Sequence, residues 1–469
     1  MNKYQHDIDR IIYLNYIDQI NEKTKVIYND VRRVITRIGN MYTVSGRHSA
    51  ESKAIYLHSK EVCTTVPNCD DCVINRFCKM YRESQVKNIR NEDLKVIDLF
   101  AGAGGFSLGF CRNGFKIIYA IDKEKCCIDT FRFNHPEVTE DRIVCKDISD
   151  IGNDLNGFIG NQEVDAIIGG PPCQGFSVAN RQRMIDDPRN KLYKHFVEII
   201  GEIRPKFFVM ENVEGILKIK DEIIEDFASL ETTYRVKPFK VNALNFGVPQ
   251  NRRRVFFLGT RTNADLEVVI GNILRNGRLY PPTVLDDALK GLKHLAANTK
   301  INSHNENSPI SGSKIDILKD IKTNEYIILI NSSKLSRIVY NHKARYNNSR
   351  DIEIFSRLFP GDKSDDPKIA DIMPYSGRND IFKDKYYRLQ GQKPCKTITA
   401  HMQLDCNMYI HPREHRGLTP REAARVQSYP DDYYFTGPYT KTYMQIGNSV
   451  PPLVANAIAR AIKEELLKR

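Results

Sequence analysis

Five short runs constrain the fold of this chain more than any other feature: KVIDLF (95–100), FKIIYAID (115–122), VDAIIGG (164–170), KFFVMENV (206–213) and RVFFLGT (254–260). Several are apolar throughout, the pattern of parallel strands that helices cover on both faces. Stretches such as LYKHFVEIIGEI (192–203) read as amphipathic helices between them. Strand and helix in alternation predict an α/β fold with a doubly wound, mostly parallel sheet. From Pro281 the regularity fades, and residues 283–390 are rich in Asn, Ser, Lys and Asp. Four regions are expected. Residues 1–93 form a helical segment ending in a cysteine cluster, and 94–282 the sheet domain. Residues 283–440 form a smaller irregular domain, and 441–469 return to the sheet domain through the Ala-rich helix PPLVANAIARAIKEELL (451–467).

Two loops carry chemistry. DLFAGAGGFSLGF (98–110) follows the first strand and opens a helix, with Gly102, Gly104 and Gly105 letting the backbone approach a ligand. Asp122 ends the next strand, where a carboxylate is placed to take two ribose hydroxyls. A dinucleotide fingerprint needs glycine where Ser107 stands, so a nucleoside cofactor without a pyrophosphate is favoured. The second loop, GGPPCQGFS (169–177), follows the fourth strand directly, and Pro171-Pro172 stiffens it. A rigid loop at the carboxyl end of a parallel strand is where open α/β sheets place their chemistry. Cys173 in such a loop suits a nucleophile, since the thiolate attacks and fixed positioning lowers the entropic barrier.

Together with ENV (211–213), QNRRR (250–254) and QIGNSVPPLVANAIA (445–459), these loops resemble the ordered motif set of cytosine-C5 DNA methyltransferases, from about residue 94 to the C-terminus. The resemblance implies a Rossmann-like fold binding S-adenosylmethionine, with residues 283–440 as target-recognition domain. It implies methyl transfer to carbon 5 of a flipped-out cytosine through a bond between Cys173 and C6. By the same resemblance Glu211 acts on ring N3, Arg252 holds the cytosine O2, and Arg254 helps fix the site. The implied cofactor set is Phe100, Ala101, Gly102, Gly104, Gly105, Phe106, Asp122, Asp147, Ile148, Pro171, Leu192, Asn448 and Ser449. Asp122 would bind ribose, and Asp147 with Ile148 the adenine edge. Family members often stack a Trp on adenine; here Lys123 follows the ribose acid, and the chain has no Trp. Arg345, Arg350 and Arg378 are the candidate base readers.

The cluster CTTVPNCDDCVINRFC brings Cys63, Cys69, Cys72 and Cys78 within sixteen residues. Close cysteines in a reduced compartment indicate metal before disulfides. The spacing resembles the iron–sulfur loop of endonuclease III-type glycosylases, one residue short in the first interval. A [4Fe–4S] cluster is expected, with structural zinc as the alternative.

The 70 Lys+Arg against 58 Asp+Glu give a net charge of +12, which points to a polyanionic partner. Double-stranded DNA is the expected partner, with a cognate restriction endonuclease as counterpart. The polar start MNKYQHDIDR and the lack of a long apolar run lead to the expectation of a cytoplasmic monomer without membrane contact. An RNA cytosine methyltransferase on the same scaffold is the main competing reading. A decayed, non-enzymatic DNA-binding protein is the other, opposed by the intact Cys173, Glu211, Arg252 and Arg254.

Overall fold

The computed structural model describes residues 50–469 except 65, 70–71, 75–76, 86–89, 91, 152–153, 161, 173–191, 319, 333–334, 336, 375–384 and 469. Before residue 50 it describes Ile8, Ile11, Ile12, Val31, Val34, Ile35 and Arg37. Cys173 and Arg378 therefore lie outside the described residues.

The central sheet is built from β1 (Lys95–Leu99), β2 (Lys116–Asp122), β3 (Ile143–Cys145), β4 (Ala166–Gly169), β5 (Phe207–Asn212), β6 (Arg235–Asn242) and β8 (Arg253–Thr260); the short β7 (Gln250–Asn251) stands apart. The sheet order is β3-β2-β1-β4-β5-β8-β6. Neighbours from β3 to β5 run parallel, and β8 is antiparallel to both β5 and β6. The expected doubly wound sheet is therefore present, with β1 and β4 side by side at its centre. Both are buried along their whole length, in β1 together with Lys95 and Asp98.

The first expected strand stops one residue early because Phe100 adopts φ 63. That left-handed turn is strained for a bulky residue, and it aims the chain from β1 into the glycine loop. Strands β3 and β6 escape the sequence reading. The first has three residues, and the second is the polar, half-exposed edge strand RVKPFKVN. Its Pro238 is tolerated because an edge need not donate on both sides.

Two apolar clusters sandwich the sheet. One runs through Phe106, Phe110, Ile128 and Val209, and continues without a break into Leu285, Tyr326, Leu389, Tyr429 and the C-terminal helix Pro452–Leu466. The other lies under the opposite face, through Ile97, Ile121, Phe196 and Phe208. The C-terminal helix packs so closely on the helix Gly105–Cys111 that a Cβ on Gly109 would collide with Ala455. Within 283–440, a separate small core gathers Ile354, Phe355, Leu358, Ile369, Met373, Tyr386 and Ile410. Residues near 285–330 and 389–435 belong instead to the core of the large domain. An antiparallel hairpin of β9 (Gly312–Ile317) and β10 (Ile338–Lys343) completes this region. Among the described residues no helix is long and apolar enough to cross a membrane.

Candidate active site

The carboxyl ends of β1, β2, β4 and β5 open into one cavity of about 480 Å³. Every residue expected on the cofactor lines it except Gly104, and so do Glu211, Arg252 and Arg254. Gly104 is needed for packing: it has φ 84, and a Cβ there would lie 2.7 Å from the Tyr433 hydroxyl and 2.9 Å from His135 Nε2. The cavity also takes in residues that sequence reasoning missed, among them Asp98, Glu124, Cys127 and Gln445. Asp98 and Gln445 stand inside the recognised motifs, which is the signal that was available for them.

At one end, Asp122 accepts the Gly102 amide on Oδ2 (2.9 Å) and the Glu124 amide on Oδ1 (2.8 Å). Its orientation is thus fixed by backbone on both sides, while burial raises its pKa above the usual carboxylate range. Lys123 Nζ lies 3.8 Å from Asp147 Oδ2, so an ion pair stands beside the expected adenine edge. Burial works against the charge of Asp147, but the Ser149 amide and hydroxyl and Lys123 hold its carboxyl below the normal range. Deeper in, Asp98 is fully buried and accepts a 2.5 Å bond from the Ser107 hydroxyl. Burial pushes its pKa up to about 7, against the help of Ser107.

At the other end, Glu211 is buried, and its Oε1 lies 2.8 Å from Arg254 Nε. The loop after β4 is tied to the same place. Asn212 Nδ2 donates to the Pro171 carbonyl at 2.9 Å, and a Cβ on Gly170 would sit 3.2 Å from Glu211 Oε2. Glycine and the ENV segment are therefore matched. Pro172, at the cavity wall, immediately precedes Cys173.

The alternation in QNRRR is present: Gln250 and Arg252 face inward and Arg253 is exposed. Arg252, expected on the base, lines the cavity but spends its terminal nitrogens on backbone. Its Nη1 donates to the Ile398 carbonyl (2.8 Å), and its Nη2 to those of Gly447 and Ser449 (3.1 Å each). Burial lowers its pKa to about 9, and the nearby Arg254 adds to this. This side chain clamps the 398 loop and the QIGNS segment onto the sheet, leaving Arg254 as the guanidinium facing Glu211. Arg345 is corrected in the same way, because it donates to the carbonyls of Met402, Gln403 and Leu404. Arg350 is exposed on the helix Ser349–Arg357.

The four N-terminal cysteines also converge. Cys63, Cys69, Cys72 and Cys78 line one small cavity with His58, and all four are thiols rather than disulfides. His58 Nε2 lies 3.5 Å from Cys72 Sγ. Burial pushes the Cys72 thiol up to about 12. Four thiols lining one cavity are ligands of the type that zinc or an iron–sulfur cluster takes.

The cavity thus lies at the carboxyl ends of parallel strands, where open α/β sheets bind their ligands, with Asp122 at one end and the Glu211–Arg254 pair at the other. The sequence profile of the C-5 cytosine-specific DNA methylase family matches residues 94–464. The chain is 36% identical over 395 residues to the type II methyltransferase M.DdeI of Desulfomicrobium norvegicum, covering 79% of this chain and 88% of that protein. It is 35% identical over 378 residues to M1.HphI of Haemophilus parahaemolyticus, covering 79% and 86%. A solved structure described as a DNA modification methyltransferase encoded within an E. coli prophage superposes with a TM-score of 0.62 at 28% identity, over 80% of this chain and all of that one. This chain belongs to the C-5 cytosine-specific DNA methylase family, and its methyl donor is S-adenosylmethionine. Residues 1–93, with the cysteine cluster, precede the matched region.

The donor bears a sulfonium and an ammonium, and burial pushes Asp98 up to about 7 in the cavity expected to receive it. A cation favours the ionised carboxylate, so donor binding releases a proton below about pH 7. Donor affinity is expected to rise as pH increases through about 7 and then level off, by about tenfold per pH unit at most below that point. Calorimetry in buffers of different ionisation enthalpy measures the proton released. Asp98→Asn should flatten the profile, and an unchanged slope in that variant would rule out Asp98 as its source.

Proposed function

We propose that this chain is the modification enzyme of a type II restriction–modification system, methylating C5 of one cytosine within a specific duplex sequence. Carbon 5 of cytosine is too weak a nucleophile to take a methyl group unaided. The Cys173 thiolate adds to C6, and proton donation or a hydrogen bond to N3 from Glu211 lets the ring accept the electron pair. The ring becomes an enamine whose electron density lies on C5. S-adenosylmethionine supplies the methyl group there and departs as the neutral thioether S-adenosylhomocysteine. A base, water or hydroxide, takes the C5 proton, the C5–C6 double bond re-forms, N3 returns its proton to Glu211, and the thiolate leaves.

The observation that carries this reading is the placement of the Glu211–Arg254 pair and of the residue before Cys173 on the wall of the cavity that Asp122 closes. Arg254 orients Glu211 and faces the base, and Arg252 positions the surrounding segments. A stacked cytosine cannot reach this depth, so the base is flipped into the cavity. The small core around Ile354 and Phe355 supports a recognition module, with exposed Arg350 on its helix available to DNA. The test offers duplex DNA and tRNA separately with donor labelled in its methyl group. Label in duplex DNA, mapped to one sequence by bisulfite conversion, is expected. Label confined to tRNA would end the DNA reading.

The four cysteines hold a metal centre, by this proposal a [4Fe–4S] cluster, that pins the cysteine loop onto the apolar cluster around Ile55, Ile74 and Phe77. Protein purified without oxygen is expected to be brown and to contain iron with acid-labile sulfide. Colourless protein containing zinc would decide for the alternative.

A further inference from the structure

The cysteine loop is not an isolated appendage. Phe77, between Cys72 and Cys78, sits edge-on to Phe133 with ring centroids 4.6 Å apart, and also meets Tyr340 and Tyr434. Arg82, on the helix Lys79–Gln85, lays its guanidinium 5.8 Å over the Phe133 ring. The same guanidinium donates to the carbonyls of Arg132 (2.6 Å) and Phe133 (2.9 Å).

Those carbonyls belong to the last turn of the helix Lys125–Asn134, where no intrahelical donor is available to them. A cation is also favoured at that end by the helix dipole. The first turn of the helix is at the cofactor cavity. Asp122 bonds the amide of its N-cap Glu124, and Cys127 lines the cavity wall. One ten-residue helix, about 15 Å long, therefore runs from the cysteine-rich cap to the ribose acid.

We propose that the cap is a positioning element for methyl-donor binding: Arg82 and Phe77 grip the far end of this helix and hold Asp122 and Glu124 in register with the glycine loop. The proposal does not depend on which metal the four thiols bind, nor on how the chain reads DNA. It assigns a role in the methylation reaction to a segment that lies outside the matched family region.

Arg82→Ala and Phe77→Ala test it in the full-length protein, using S-adenosylmethionine itself as probe. The affinity for the donor and its KM are expected to weaken about three- to tenfold in Arg82→Ala. The kcat and the KM for DNA should stay within twofold of the parent, as should the metal content. Arg82→Lys keeps a cation at the helix end and should restore most of the lost affinity. Phe77→Ala removes the packing and should shift donor affinity in the same direction. Unchanged donor affinity in both alanine variants would overturn the proposal. So would a matched loss of kcat and of both affinities that follows a drop in Tm and is not rescued by lysine, since that is destabilisation alone.

Discussion

Cys173→Ala protein should bind S-adenosylmethionine as the parent does, yet transfer its methyl group to DNA at least about 10⁴-fold more slowly. The expectation follows from the division of labour in the cavity. Asp122 and its two backbone amides stand at the end of the cavity proposed for the donor, whereas Pro172, the residue before 173, lines the wall it shares with Glu211. Removing one sulfur atom deletes the nucleophile without touching the donor's contacts. A direct readout uses duplex DNA carrying 5-fluorocytosine at the target. After addition at C6 and methylation, fluorine occupies the place of the proton that must leave C5, and elimination stops. The parent should then form a protein–DNA adduct that survives denaturation, and the alanine variant none. An adduct in the variant would assign the bond to another residue, and substantial turnover by it would refute covalent catalysis through Cys173.

Glu211→Gln and Arg252→Met should fail in different ways. Glutamine is nearly isosteric and keeps the Asn212 and Gly170 packing around it, but it cannot give N3 a proton. Its kcat is expected to fall about 10²- to 10³-fold with little change in Tm. Arg252 is fully buried and satisfies carbonyls of Ile398, Gly447 and Ser449. Methionine fills much of its volume but takes the guanidinium from the Ile398 and Gly447 carbonyls, at about 1–3 kcal/mol for each that finds no water, while the Ser449 carbonyl keeps the Gln427 amide. Arg252→Met should therefore lose Tm by several degrees, and donor affinity with it, because Ser449 lines the cofactor cavity. Differential scanning calorimetry beside single-turnover kinetics separates the two. A catalytic defect in Arg252→Met at unchanged Tm would return that side chain to the base.

These contrasts mark where sequence reading stops. The helix predicted at 192–203 is found over Leu192–Ile203, and the expected central strands agree to within one or two residues. Strand β6 was not legible, since its mixed polar pattern with Pro238 makes sense only at an edge, and edges are defined by neighbours. The same holds for the boundary expected at residue 283, which the continuous core around Leu285 and Tyr326 crosses.

What the sequence determined by itself is local. Apolar runs of strand length, glycines at tight turns and the Pro-Pro stiffening before Cys173 all act through consecutive residues, and steric rules alone confine them. Tertiary structure decided which atoms the long side chains reach. Arg252 and Arg254 are two residues apart and chemically identical, yet one reaches carbonyls 146 to 197 positions away and the other a carboxylate in the site. Arg82 likewise finds its partners about fifty positions on, at a helix end. A guanidinium bonds whatever acceptor packing leaves unsatisfied beside it, and that is known only once the chain has closed on itself.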